Sequence, residues 1–122
     1  MEIGVDIVDL DRIRTLYTRY GMKFLQRFLT EAEIAQCLLK PQVVASIAGR
    51  FAAKEAVVKA LGTGFSGAVH WKSFEILNDA RGAPYVRPTD VQRFHKRPIK
   101  ISIAHDRHSA VAIAMIEELR EK

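Results

Sequence analysis

Residues 42–61 carry alanine at 45, 48, 52, 53, 56 and 60 and glycine at 49. So many small side chains let a helix be packed closely on more than one side. Pro41 precedes the run, and Gly62-Thr63-Gly64 supplies the left-handed end that a helix needs. This predicts one long central helix. At about 100° per residue, Val44, Ile47, Phe51 and Val58 share a stripe, Glu55 lies roughly 40° from its centre and Lys59 a similar step beyond. The segment thus sets one carboxylate and two ammonium groups, Lys54 and Lys59, among apolar or small residues. An unpaired carboxylate removed from water costs several kcal/mol, so Glu55 requires a lysine, another cation or a metal beside it.

The remaining chain predicts what that helix packs against. Ile3, Val5, Ile7 and Leu10, interrupted by Gly4, Asp6 and Asp9, read as a short alternating strand that passes into a helix capped at Asp9 or Asp11, with Asp6 near the strand end. Ile13 to Phe28 has apolar spacings of three and four, broken near Gly21. Thr30-Glu31-Ala32-Glu33 has the form of a capping box and starts another helix. Trp71 to Leu77 and Tyr85 to Arg87, separated by turn residues 78–84, form a hairpin. Thr89-Asp90-Val91-Gln92 opens a short helix reaching about His95. Ile99 to Ile103 and Ala110 to Ile116 are two further strands joined by a turn at 105–108, and 117–122 is a charged tail. The expected fold is α+β, a long central helix covering the apolar face of a small antiparallel sheet.

At 122 residues and 48% hydrophobic composition, one domain spanning 1–122 with a modest core is expected. Cys37 stands alone, the first residues lack a secretion-signal profile, and no apolar run approaches the roughly 20 residues that cross a bilayer. These point to a reducing cytoplasm and no membrane. The net charge of +5 is local: residues 12–29 hold Arg12, Arg14, Arg19, Lys23 and Arg27 without an acid, and outside them bases and acids balance. Such a surface suits an acidic partner, whether protein, nucleic acid or phosphorylated small molecule, and is equally what a solvated helix face looks like.

Asp6 and Glu55 both stand where the local pattern favours an apolar residue. If the first strand lies beside the central helix they converge, and two carboxylates with water and phosphate oxygens are a usual way to hold Mg²⁺. The alternative is an ion pair between Glu55 and Lys59 one turn on. Lys59 and the Gly-Thr-Gly loop add phosphate-binding capacity, but the loop follows a helix and is no Walker A sequence. Dinucleotide, zinc-protease and paired-cysteine motifs are missing as well. Cys37 reads as a small buried hydrophobe, and His105 as either a strand-end residue or a ligand contact. A basic module binding nucleic acid through residues 12–29 would explain the charge but leaves Glu55 without a role, and no recognised nucleic-acid motif supports it.

Gly4-Val5-Asp6-Ile7-Val8 with Arg12-Ile13, and Arg50 to Gly64, resemble the two signature motifs of the phosphopantetheinyl transferases, closest to the short bacterial holo-[acyl-carrier-protein] synthases. The likeness covers essentially the whole chain, including Ser102-Ile103-Ala104-His105. It implies transfer of the 4′-phosphopantetheine arm of coenzyme A to a serine of apo-acyl carrier protein, in support of fatty acid biosynthesis. By resemblance, Asp6 and Glu55 are metal ligands for Mg²⁺, and Glu55 and Lys59 carry the chemistry. Lys59, Gly62, Thr63 and Gly64 approach the pyrophosphate, while Arg50, Pro84 and His105 bind the nucleotide. The same likeness places Arg12, Arg14, Arg19 and Lys23 against acyl carrier protein and implies a homotrimer with sites at subunit interfaces. The general base is left open between Glu55 and a water.

Overall fold

The computed structural model describes residues 1–62, 70–89 and 98–117. Its elements run β1 (Glu2–Asp9), α1 (Leu10–Tyr20), α2 (Met22–Phe28), α3 (Glu31–Leu38), α4 (Val43–Leu61), β2 (Phe74–Asn78), β3 (Pro84–Pro88), β4 (Ile99–His105) and β5 (Ser109–Ile116). The architecture is α+β as expected: α4 lies across an antiparallel sheet of order β1-β5-β4, with the β2-β3 hairpin as a separate ribbon. Apart from Thr89, the helix predicted to run to about His95, and most of the charged tail, fall outside the described residues.

The local signals act as their chemistry requires. Asp9 caps α1 by accepting from the Asp11 amide at 2.9 Å, and Gly21, at φ 57°, separates α1 from α2. In the capping box, the Glu33 amide donates to Thr30 Oγ1 at 3.4 Å, and the Thr30 amide donates to Glu33 Oε1 at 3.0 Å. Gly62 closes α4 at φ 76°.

The small residues of α4 do pack on more than one side, as expected: beside the apolar stripe, Ala45, Ala48, Gly49, Ala52, Ala53, Ala56, Val57 and Ala60 are buried. The helix is enclosed on almost every side, leaving Glu55 half-buried and Lys59 exposed. The parity of β1, in contrast, is the reverse of what its large residues suggest. Gly4 and Val8 are buried and Asp6 is half-buried, whereas Ile3, Val5 and Ile7 are exposed. The reason is close approach: the face toward α4 is built from Gly4, Asp6 and Val8 paired with Ala114, Ala112 and Ala110 of β5. Asp6 accordingly lies inside the strand, three residues before its end.

Gly4 sets that approach. A Cβ there would sit 2.0 Å from the Ala56 carbonyl oxygen and 2.7 Å from the Ala60 amide nitrogen, both backbone atoms that cannot swing aside. Gly4→Ala is expected to cost about 3 kcal/mol or more, since overpacking against rigid neighbours exceeds the usual range for inserted methyl groups. Urea unfolding checks it. An unchanged midpoint would contradict the packing of β1 on α4.

Candidate active site

Asp6 on β1 and Lys59 on α4 meet directly, with Lys59 Nζ donating to Asp6 Oδ1 at 2.9 Å and to the Val5 carbonyl at 3.1 Å. Glu55, one turn earlier on α4, is near enough that the Asp6 charge raises its pKa. Burial is the larger cause of that rise, Asp6 the second, and Lys59 opposes both. The hydrogen bond that Lys59 donates to Asp6 in turn raises the pKa of Lys59. The two acids therefore do come together. Lys59 answers Asp6, and among the described residues no ion pair within 4 Å joins it to Glu55, so the simple Glu55–Lys59 pair is not formed.

Could this corner hold a divalent cation? Its donors are carboxylate oxygens, and the like charges of Asp6 and Glu55 repel until a cation lies between them. Among the described residues there is no cluster of three or more His, Cys, Asp or Glu that would form a complete cage. One or two carboxylates, with the remaining positions left for water and phosphate, is the arrangement that suits Mg²⁺. Asp6 and Glu55 fit that pattern. Gly62 stands just past the end of the same helix, while Thr63 and Gly64 lie outside the described residues.

Arg50, Pro84 and His105 line one cavity of about 450 Å³, together with Lys40, Gln42 and Asn78. It opens toward the other end of α4, five or more residues before Glu55. Arg50 is buried, and its guanidinium donates to the Ile76 carbonyl, to the Ser46 hydroxyl and carbonyl, and to Gln36 Oε1 and Asn78 Oδ1. All five of its N–H donors have an acceptor within the chain. Arg50 thus shapes the wall by tying α3 and β2 to α4, while His105, at the end of β4, is exposed. The adjoining turn is fixed by Asp106, whose carboxylate accepts from the His108 and Ser109 amides at 2.8 Å.

The basic stretch divides in the structure. Arg12 and Lys23, with Arg27, rim a groove of about 650 Å³ floored by Phe24, Phe28, Phe51 and Trp71. Arg14 holds Asp11 at 2.5 Å and faces a neighbouring cavity with His105 and Arg107. Arg19 stacks over the Tyr20 ring at 5.6 Å. The floor is tightly assembled: the Phe28 ring stands edge-on to Phe51 and Trp71 at 5.4 and 5.8 Å, and Phe51 lies 5.2 Å from Trp71. Periodicity put Phe51 and Phe28 in the core without showing this groove, because Trp71 comes from a segment distant in sequence.

A second feature was not read from the sequence. Lys54 and Glu33 form a fully buried ion pair at 2.8 Å. Its signal was the lysine inside an alanine-rich helix, which by itself names no partner. Cys37 is fully buried, and burial raises its thiol pKa, so it behaves as a small core residue. No helix among the described residues is long and apolar enough to cross a membrane.

Residues 2–116 match the model of the 4'-phosphopantetheinyl transferase superfamily. Holo-[acyl-carrier-protein] synthase of Pelodictyon phaeoclathratiforme is 73% identical over 118 residues, covering 96% of this chain and 98% of that protein. The synthase of Chlorobium chlorochromatii is 62% identical, covering 96% of this chain and all of its own length. Among solved structures, the Helicobacter pylori holo-[acyl-carrier-protein] synthase in complex with coenzyme A superimposes with a TM-score of 0.84 at 36% identity, over 94% of this chain and 99% of that one.

An α+β fold with two motif acids and a lysine gathered between the first strand and the central helix is thus that of a group-transfer enzyme. The chain belongs to the 4'-phosphopantetheinyl transferase superfamily, and within it to the holo-[acyl-carrier-protein] synthases.

Proposed function

We propose that this chain moves the 4′-phosphopantetheine arm of coenzyme A to a serine of apo-acyl carrier protein, releasing adenosine 3′,5′-bisphosphate, with Mg²⁺ held by Asp6 and Glu55. The observation that carries the reading is the 2.9 Å contact of Lys59 with Asp6, with Glu55 alongside, which gathers the acids and lysine of both motifs on one side of α4. The serine oxygen forms a bond to the phosphorus bearing pantetheine as the bond to the leaving nucleotide phosphate breaks. Bound Mg²⁺ would supply charge neutralisation at the pyrophosphate. The Lys59 ammonium is half-exposed beside Asp6 and is thus open to a phosphate oxygen of the substrate. The serine proton passes to Glu55 or to a water beside it.

The sheet supports the subunit arrangement. On the face of β1 and β5 away from α4, Ile3, Val5 and Ile7 lie opposite Met115, Ile113 and Val111. Five of these six are more than a third exposed in the isolated protomer. A contiguous apolar face of this kind marks an interaction surface. Three copies packed through it would form a homotrimer in which the Arg50–Pro84–His105 cavity of one subunit serves the Asp6–Glu55–Lys59 corner of its neighbour. The reading places the enzyme in the cytoplasm and in fatty acid biosynthesis.

Chromatography of the nucleotide product tests the reaction. Adenosine 3′,5′-bisphosphate should appear only with apo-carrier present, stop on chelation and resume with Mg²⁺; release without carrier, or none with several carriers, would contradict it. The basic rim and aromatic floor of the groove support a partner that presents an acidic helix with an apolar ridge. Reversing Arg12 and Lys23 to Glu should raise the KM for carrier about tenfold or more with little change for coenzyme A. Equal loss for both substrates would argue against the groove.

A further inference from the structure

Directly behind the aromatic floor, the Lys54 ammonium lies 2.8 Å from the Phe28 carbonyl, 2.5 Å from that of Trp71, 3.0 Å from that of Phe74 and 2.8 Å from Glu33 Oε1. Two of these carbonyls belong to residues of the floor, Phe28 and Trp71, and Phe51, another of its rings, is three residues earlier on the same helix as Lys54. Glu33 is committed just as fully. Its Oε1 accepts from the Thr30 amide and its Oε2 from the Ile76 amide at 2.8 Å. One buried cation therefore joins the end of α2, the start of α3 and the segment leading into β2 to the central helix.

Stability is a poor explanation for such a pair, since well-packed apolar residues of similar size often serve a core as well or better. What an ammonium adds is direction: its three N–H donors, shared among three carbonyls and Glu33, hold these acceptors at set distances where an apolar chain would let them slide. We propose that Lys54, with Glu33 as counterion, is a positioning residue for recognition of the carrier protein, holding Phe28 and Trp71 so that the groove exists before the partner arrives. The inference rests on the reading of that groove as the carrier's docking surface. Lys54 reaches its partners on α2, α3 and β2, whereas Asp6 and Lys59 meet on the β1 side of α4. Coenzyme A binding should thus be separable from it.

Two variants test it, Lys54→Met and the double variant Lys54→Met with Glu33→Gln, which avoids leaving a buried carboxylate unpaired. Trp71 is the chain's one tryptophan, so its emission and acrylamide quenching report the floor directly. In at least the double variant the expected result is cooperative unfolding, Trp71 more open to quencher, a KM for carrier raised about tenfold, and a Kd for coenzyme A within about twofold of the parent. A folded variant with unchanged Trp71 quenching or unchanged carrier KM overturns the proposal, as does equal weakening of both substrates. Failure of both variants to fold overturns it too, because the pair would then serve the whole fold. A parent enzyme that binds no carrier defeats the docking reading beneath it, and is told apart because Trp71 still responds to the variants.

Discussion

Glu55→Gln is expected to lower transfer about a thousandfold or more while leaving the folded protein as stable as the parent, or more so. The opposing signs follow from one geometry. Glu55 is half-buried beside Asp6, and both burial and that neighbouring charge disfavour its ionised form. Removing the charge relieves the repulsion in metal-free protein. It also removes one of the two carboxylates assigned to Mg²⁺, and charge neutralisation at the pyrophosphate is most of what this chemistry asks of the enzyme. Asp6→Asn should fall as far in activity, but without the gain in stability, since it also weakens the 2.9 Å ion pair with Lys59. Thermal unfolding without metal, beside kcat with it, separates the two variants. Near-normal turnover in either would show that these acids do not hold the ion.

Ile7→Glu combined with Ile113→Glu is expected to convert a trimer into monomers and to reduce turnover by about a hundredfold or more. Ile7 is 67% exposed and Ile113 38% exposed in the protomer, on the face of the sheet away from α4. The protomer's own core should be unaffected. Burying side chains of this size in a subunit contact is worth roughly 1.5–3 kcal/mol each, and introducing charges there reverses the gain. On the trimer proposal activity should fall with assembly, because the Arg50–Pro84–His105 cavity and the Asp6–Glu55–Lys59 corner lie toward opposite ends of α4 and would meet only across subunits. Sedimentation and turnover measured on the same samples decide the matter. A parent that is monomeric yet fully active would contradict the interface reading.

Much of this was legible in the sequence because the signals were local. Asp9, Gly21, Thr30 with Glu33, and Gly62 each mark an element boundary by their own hydrogen bonding or backbone conformation, and the structure places each boundary there. Asp6 and Glu55 stood out because acids rarely occupy such positions, although their meeting depends on a strand crossing a helix 49 positions later in the chain. What the sequence concealed was set by tertiary packing. β1 turns Gly4 inward because α4 approaches too closely for a side chain there, so its large residues Ile3, Val5 and Ile7 fall on the exposed face. The Lys54–Glu33 pair joins two helices through side chains 21 positions apart, and nothing in the spacing of either residue names the other. Likewise the groove floor needs Trp71 to return to Phe51 and Phe28, a contact that no periodicity encodes.

The most direct test of the central claim is the intact mass of an apo-acyl carrier protein after incubation with this enzyme, coenzyme A and Mg²⁺. The account predicts a gain of one phosphopantetheine arm on a single serine, absent with Glu55→Gln. A carrier whose mass does not change, or one modified equally well by the Glu55→Gln enzyme, would contradict it.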